Sequence, residues 1–438
     1  MQLFPLLNKT SLDNFSVNAG WMSLNSNVDV QDKKDYKFGT LKYMNGESIL
    51  QIFQGWTVDY KKIMASTPLF RKHNILGCIA EDNTKYVYIP QISITPFAAQ
   101  RSFASVTYRS WNLTTFSVVD FIPDDLNYKM FNKVLLSFTF LDDWINPALR
   151  FETEGMSTKV KSASSRNLAY FTYHGQIFKV SLEGNVKKQE GQNDRYIKYQ
   201  NKSWLVIEGE NNISSAEAIM FATEMKKIFS VVLARSVNTI QLSKKGIDKK
   251  SHRNITEDLY FLENKFSENQ MPLFIYEMFQ ESKDIQLNIL IPNWFNKGEN
   301  FELLVSDYLL TINYQETVEN KLINLTEGIE SYYRDQNKSL CEKIQLMLHS
   351  LPENLQNVLK EKVGLLDNWA KTLKQNRVYI VHGNKKKFVI DNIEELSEHV
   401  NLLQYLVQYF ILQQLGMKIR NTNIVKTNIN GFFSSERI

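Results

Sequence analysis

Arg377 and His382 are the two side chains whose types and spacing could perform chemistry together. They lie five positions apart at the end of a segment with helical periodicity. An arginine presents N–H donors that fit phosphate oxygens, and a histidine can exchange a proton near neutral pH. At an RNA phosphodiester, such a pair could assist attack by the ribose 2′-OH, with no metal or other cofactor. DNA lacks this hydroxyl and should resist cleavage.

The spacing of Arg377 and His382 also constrains such a site. On a regular helix, five residues correspond to a rotation of about 140°, so the two side chains cannot share one narrow face. Fraying of the helix at Gly383 could bring them together. A two-fold dimer that builds each site from both copies could do the same. We favour the dimer, so the expected partners are RNA and a second copy of the chain.

Charged residues near this pair could complete the site. Three lysines follow the helix directly and are expected to bind the RNA backbone: Lys385, Lys386 and Lys387. Glu327 and Glu330, on an earlier predicted helix, are candidates for orienting Arg377 or His382.

The same residues also admit plainer interpretations. A histidine at a helix C-terminus interacts favourably with the helix dipole, and a helical arginine usually faces solvent. Lysines in a turn and glutamates on a helix are typical of any hydrated surface. The other histidines are scattered, without the paired spacing of a metal site, and no metal is expected.

Composition narrows the class of protein. The chain has 438 residues, 43% of them hydrophobic and 22% charged, which predicts a folded protein of two or three domains. Its net charge of +4 is too small to indicate nucleic-acid binding by itself. Two distant cysteines favour a reducing cytoplasm over a disulfide framework. We recognise no secretion signal and no apolar run that could span a membrane, so no membrane partner is expected.

The first 295 residues are predicted to be rich in β-strands. Alternating, β-branched and aromatic patterns, for example at residues 134–140 and 176–182, predict an antiparallel, sandwich-like architecture of one or two lobes. A capping box formed by Ser214 and Glu217 predicts a helix near 214–234. Strands are then expected at 237–242 and 286–291, with an exposed loop at 244–265.

From residue 296 to residue 438 the pattern changes to long helical periodicity. Helices are predicted at 317–334, from 350 with an interruption at Gly364, at 367–382 and at 391–416. Short connections between them favour a bundle. The predicted fold class is therefore α+β and multidomain.

Several motifs in both halves of the chain resemble one family, the ApeA-type anti-phage proteins with a C-terminal HEPN domain. They lie at residues 20–21, 38–43, 50–55, 291–295, 327–334, 376–383 and 411–416. The resemblance implies an α-helical HEPN domain at 296–438 and an N-terminal region that senses infection or restrains the nuclease. It implies a homodimeric RNase that halts translation in the infected cell, with a phage protein as trigger and tRNA or another translation-related RNA as target.

The family motif is an arginine, a polar residue that is commonly Asn, three variable residues and a histidine. Arg377 and His382 match its ends, whereas Val378 departs from it. A valine cannot make the hydrogen bonds of the usual residue, so either the rate falls or Asn376 or Tyr379 supports the site instead. The alternative function is a weak or inactive HEPN protein that acts as a binding, regulatory or phage-sensing module.

Overall fold

The computed structural model describes most of the chain. It covers residues 10–11, 13–24, 36–53, 74–79, 84–90, 94–103, 106–121, 129–142, 150–154, 157–161, 166–190, 197–263 and 286–417, with Thr427 and Ile429.

The predicted β-rich region forms antiparallel strands. These are β1 (Phe15–Leu24), β2 (Lys37–Met44), β3 (Glu47–Phe53), β4 (Asn74–Ile79), β5 (Tyr86–Ile89), β6 (Ile94–Phe103), β7 (Val106–Leu113), β8 (Thr115–Val119), β9 (Lys129–Phe138), β10 (Arg150–Glu154), β11 (Ser157–Lys161), β12 (Arg166–Tyr173), β13 (Gln176–Glu190), β14 (Ile197–Gly209), β15 (Thr239–Asp248) and β16 (Asn254–Phe261). Fourteen of them join in one sheet in the order β12-β13-β14-β9-β15-β16-β8-β5-β4-β1-β2-β3-β7-β6, and β10 pairs with β11.

This sheet curls so that one of its faces packs against itself. Tyr43 on β2 lies 5.9 Å from Phe116 on β8 and 5.4 Å from Tyr260 on β16, measured between ring centroids. In a flat sheet β2 and β8, four places apart, would be about 19 Å apart. The aromatic side chains therefore fill a core between two parts of one sheet, and the predicted sandwich-like region is confirmed.

The helices lie mainly in the C-terminal third, as predicted. They are α1 (Ser215–Leu233), α2 (Leu287–Phe295), α3 (Glu299–Asn313), α4 (Val318–Tyr332), α5 (Leu340–His349), α6 (Glu353–Val363), α7 (Leu366–His382) and α8 (Ile393–Gln414). The capping box of α1 is present, with Ser214 and Glu217 each accepting from the other's backbone N–H. No helix among the described residues has the length and apolar character needed to cross a bilayer.

Two predicted segments are wrong. Residues 286–291 begin helix α2, and its buried residues Leu287, Leu290, Ile291 and Trp294 follow helical spacing. The short apolar run could not distinguish this from a strand.

The predicted loop at 244–265 instead contains the end of β15 and all of β16. Lys244 and Glu257 lie opposite each other in these strands and form a nearly buried ion pair of 2.7 Å. Such pairing explains how a charge-dense segment enters the sheet.

Helix α1 connects the sheet to the helical bundle. Its apolar residues belong to one continuous core with β9, β12–β15 and the helices from α2 to α8. The buried amide of Gln408 on α8 donates to the Val231 carbonyl of α1 at 2.7 Å. The sheet and the bundle therefore share one packed interior.

Glu224 of α1 provides a polar contact at this junction. Its carboxylate accepts from Trp294 Nε1 at 2.7 Å, Lys297 Nζ at 2.6 Å and Lys227 Nζ at 2.7 Å. Desolvation acts to raise the pKa of Glu224, but the hydrogen bonds from both lysines outweigh it and lower the pKa. A buried indole N–H and two ammonium groups thus depend on one carboxylate.

We expect Glu224→Ala to lower the free energy of unfolding by about 3 kcal/mol, because it leaves the Trp294 N–H and the largely buried Lys297 without their acceptor. Urea denaturation measures the loss. The control is Glu302→Ala, which removes an exposed carboxylate 3.9 Å from Lys227 and should change stability little. Equal effects of the two substitutions would contradict this role of Glu224.

Candidate active site

Helix α7 positions the Arg377 and His382 side chains. Leu366, Trp369, Ala370 and Leu373 are buried on one face of the helix. The indole of Trp369 donates to His399 Nδ1 on α8 at 2.7 Å. This packing fixes the axis and the rotation of α7 within the bundle.

The C-terminus of α7 agrees with the sequence prediction. Gly383 has a φ of 69°, and its N–H donates to the Tyr379 carbonyl at 2.7 Å. This left-handed cap favours glycine and ends the helix after His382. The histidine therefore occupies the last helical position.

Arg377 faces two carboxylates on α4. Its Nη2 lies 3.6 Å from Glu327 Oε1 and 3.9 Å from Glu330 Oε2. These distances are too long for hydrogen bonds, so the carboxylates attract the guanidinium without saturating its donors. Its Nε is buried and has no hydrogen-bond partner in the part of the chain that the structure describes. The buried Nε is closed to solvent, but the side chain as a whole is 22% exposed, so an anion could reach Arg377 only through the terminal part of its guanidinium.

Asp307 on α3 adds a carboxyl that sequence reasoning missed. Burial, together with the neighbouring Glu327 carboxylate, raises the pKa of Asp307 to about 6. The close packing requires Gly328, where an added Cβ would come within 3.1 Å of the Asp307 Cβ. Nothing in the sequence links Asp307 to Glu327, because the contact joins two helices.

His382 has no ion pair or hydrogen bond with this carboxylate group. It is exposed, and it makes no hydrogen bond to any residue that the structure describes. Its position on α7 is rotated by about 140° from that of Arg377. One chain therefore brings Arg377 together with Glu327 and Glu330, but not with His382.

Asn376 connects α7 to the segment that follows His382. The Asn376 side chain is 1% exposed. Its Nδ2 donates to the Thr372 carbonyl at 2.9 Å and to the Phe388 carbonyl at 3.5 Å, and its Oδ1 accepts from the Ile390 N–H at 3.0 Å. The amide is thus engaged by backbone groups, which gives Asn376 the geometry of a positioning residue.

The three predicted RNA-binding lysines differ in their surroundings. Lys385 pairs with Asp391, and that hydrogen bond raises the pKa of Lys385. Lys386 and Lys387 are exposed, in a turn where the Val389 N–H donates to the Lys386 carbonyl at 3.2 Å. All three cations therefore face solvent within five residues of His382 in the chain, and Lys385 differs from the other two in its ion pair with Asp391.

Val378 and Tyr379 occupy different environments on α7. Val378 is half-buried, and Tyr379 is 38% exposed. Of the two residues that could compensate for Val378, Tyr379 has the accessible hydroxyl, whereas the Asn376 amide is already used.

Asp307 should make stability depend on pH in a defined direction. Its pKa is higher in the folded protein than in the unfolded chain, so stability falls as the pH rises from about 4 to about 6 and the loss is complete above that range. We expect Asp307→Asn to raise the free energy of unfolding at pH 8 by about 1 kcal/mol, a value reduced for solvent screening. The gain should vanish near pH 4, where wild-type Asp307 is protonated in the folded state.

Denaturant titrations at the two pH values provide this measurement. Asp335→Asn is the control, because the Asp335 side chain is 80% exposed. A gain from Asp307→Asn that is the same at both pH values would show that ionisation is not its cause.

Comparison with known proteins gives one finding for this region. Residues 252–419 match the family model described as Apea-like HEPN. The match begins in the hairpin of β15 and β16, upstream of the predicted division at residue 296, and includes α2 to α8. No curated protein and no solved structure gives a match. The resemblance predicted from the sequence is confirmed for this part of the chain: residues 252–419 are similar to the Apea-like HEPN family.

Proposed function

We propose that this chain is a HEPN-type endoribonuclease in which Arg377 and His382 carry out RNA cleavage. At the level of the family, the Apea-like HEPN domain supports a role as an anti-phage defence effector, and HEPN domains are generally ribonucleases. The observation that carries the proposal lies within this domain: the partly exposed guanidinium of Arg377 lies 3.6 Å and 3.9 Å from two carboxylates, too far for hydrogen bonds to them, and His382 is exposed at the capped end of the same helix.

The proposed reaction uses a nucleophile that RNA itself supplies. The ribose 2′-oxygen attacks the adjacent phosphorus, the bond from phosphorus to the 5′-oxygen breaks, and a 2′,3′-cyclic phosphate and a 5′-hydroxyl end result. His382 accepts the proton of the 2′-OH or donates one to the leaving 5′-oxygen, and water performs the other of these two proton transfers. Arg377 binds the non-bridging oxygens as charge builds on them, while Glu327 and Glu330 keep its guanidinium in place. Each step uses side chains of the protein or water, and no metal ion.

The separation of Arg377 and His382 on α7 supports a homodimeric site. A two-fold axis beside the end of α7 would bring Arg377 of one protomer to His382 of its partner. We propose that the β-rich region restrains this assembly until a phage protein binds it. The RNA cut would then be tRNA or another translation-related RNA.

Subunit mixing tests the composite site. We expect Arg377→Ala and His382→Ala each to abolish the formation of 5′-hydroxyl RNA ends. Mixing the two variants should restore about a quarter of wild-type activity, because half of the dimers are mixed and each mixed dimer has one intact site. Sequencing of RNA ends provides the readout.

Two outcomes would count against this assignment. Cleavage that persists in both single variants would remove Arg377 and His382 from the site. Single variants that are inactive both alone and after mixing, despite formation of mixed dimers, would place the site within one chain.

Val378 supports the second candidate function, a weak or inactive HEPN protein that binds or regulates. Its apolar side chain cannot donate a hydrogen bond at a position where the family commonly has a polar residue. If this limits the rate, Val378→Asn should increase RNA cleavage about tenfold, the effect of one hydrogen bond to a charged group. Val381→Asn is the matched control, because Val381 is 45% exposed on the same helix. An unchanged rate in Val378→Asn would mean that this position does not belong to the site.

A further inference from the structure

Two exposed aromatic side chains lie close to His382 in the chain. Tyr379 is 38% exposed and Phe388 is 41% exposed. Ile390, two residues after Phe388, packs against the core, so this segment does bury other apolar groups. Exposed aromatic rings next to a candidate active site often serve to bind a ligand.

The hydrogen bonds of Asn376 and the geometry of α7 bring the segment that carries Phe388 to the side of the helix near Tyr379. Tyr379 is three residues before His382, about 60° away around the helix. Asn376 lies about 60° beyond Tyr379 and binds the backbone at Phe388 and Ile390. The segment that carries Phe388 therefore passes along the side of the helix where Tyr379 projects.

Positive charge accompanies these rings. Lys386 and Lys387 directly precede Phe388 in the same turn and are exposed. Cations that follow a phosphate backbone, together with aromatic rings that stack on bases, are the features by which proteins bind unpaired nucleic acid. In a duplex the base faces are already stacked on one another and cannot be reached.

We propose that Tyr379 and Phe388 bind RNA beside the cleaved phosphate by stacking their rings on unpaired bases. This inference rests on the proposed function, because it adds two base-binding residues to the site of Arg377 and His382. It makes Phe388 a specificity-determining residue, and it assigns Tyr379 a contact with the base rather than with the phosphate.

Binding to a defined RNA tests this proposal without cleavage. The probe is a fluorescent 12-nucleotide RNA, used single-stranded and annealed to its complement, and the protein is full-length His382→Ala. Fluorescence anisotropy should show that adding Phe388→Ala weakens binding of the single strand about tenfold, the loss of one stacked base, and leaves duplex binding unchanged. Phe388→Trp should retain the affinity, because it retains an aromatic face.

Matched variants separate stacking from a general effect on the surface. Phe38 on β2 and Tyr170 on β12 are aromatic residues that are 60% and 53% exposed. Phe38→Ala and Tyr170→Ala, in the same His382→Ala protein, should leave single-strand binding unchanged. If the Phe388 ring contacts one particular base, removing that base from the probe should weaken its binding to the protein that keeps Phe388. Binding to the Phe388→Ala protein should not change.

The remaining outcomes would overturn the inference. Unchanged single-strand affinity in both Phe388→Ala and Tyr379→Ala would exclude stacking, and an equal loss for single strand and duplex would indicate only a general surface effect. A further outcome is that the catalytically intact protein cuts RNA while Phe388→Ala keeps the same preference for unpaired over duplex RNA. In that case the inference fails and the proposed function stands. If the wild type neither binds nor cuts RNA, both fail.

Discussion

The packing of α1 between the sheet and the helical bundle is the constraint on which the site depends. One face of α1 contacts strands, and its neighbours on the other side include α2, α3 and α8. The buried carboxylate of Glu224 fixes the start of the bundle through Trp294 and Lys297. Because the bundle is anchored there, the positions of α4 and α7 follow from a core that they share with the sheet.

The site itself combines one rigid part and one accessible part. Arg377 is held between α7 and α4, where packing and the Glu327 and Glu330 carboxylates limit its motion. His382 and the lysines lie at the helix end and beyond it, where solvent and a substrate can reach them. Asn376 links the two parts, since its amide lies in the core and its hydrogen bonds reach the turn that carries Phe388.

Local signals in the sequence were sufficient for much of the fold. The limits of α7 could be predicted because Gly383 marks its end, and α1 because Ser214 and Glu217 cap its start. In the candidate site, the same logic placed His382 at a helix terminus. These features depend on neighbouring residues alone, which is why a single sequence contains them.

Features that depend on contacts between distant residues could not be predicted in this way. The charge-dense segment at 244–265 resembles a loop until the pairing of Lys244 with Glu257 is known. The role of Asp307 depends on the close approach of α3 and α4 at Gly328, and that of Asn376 on a turn twelve to fourteen residues later. The helical start of the bundle at residue 287 was missed because a short apolar run fits a strand and a helix equally well.

The carboxylates beside Arg377 have a consequence for how an anion can bind there. Glu327 and Glu330 belong to the same chain as Arg377 and compete with any incoming anion for its guanidinium. Their effective concentration beside the guanidinium does not depend on the protein concentration. A phosphate must displace part of this attraction, and it gains most when it forms the bidentate hydrogen bonds that the carboxylates, at 3.6 Å and 3.9 Å, do not make. If Arg377 binds an anion as proposed, we therefore expect free phosphate and other small anions to compete poorly with one that is also held elsewhere on the protein.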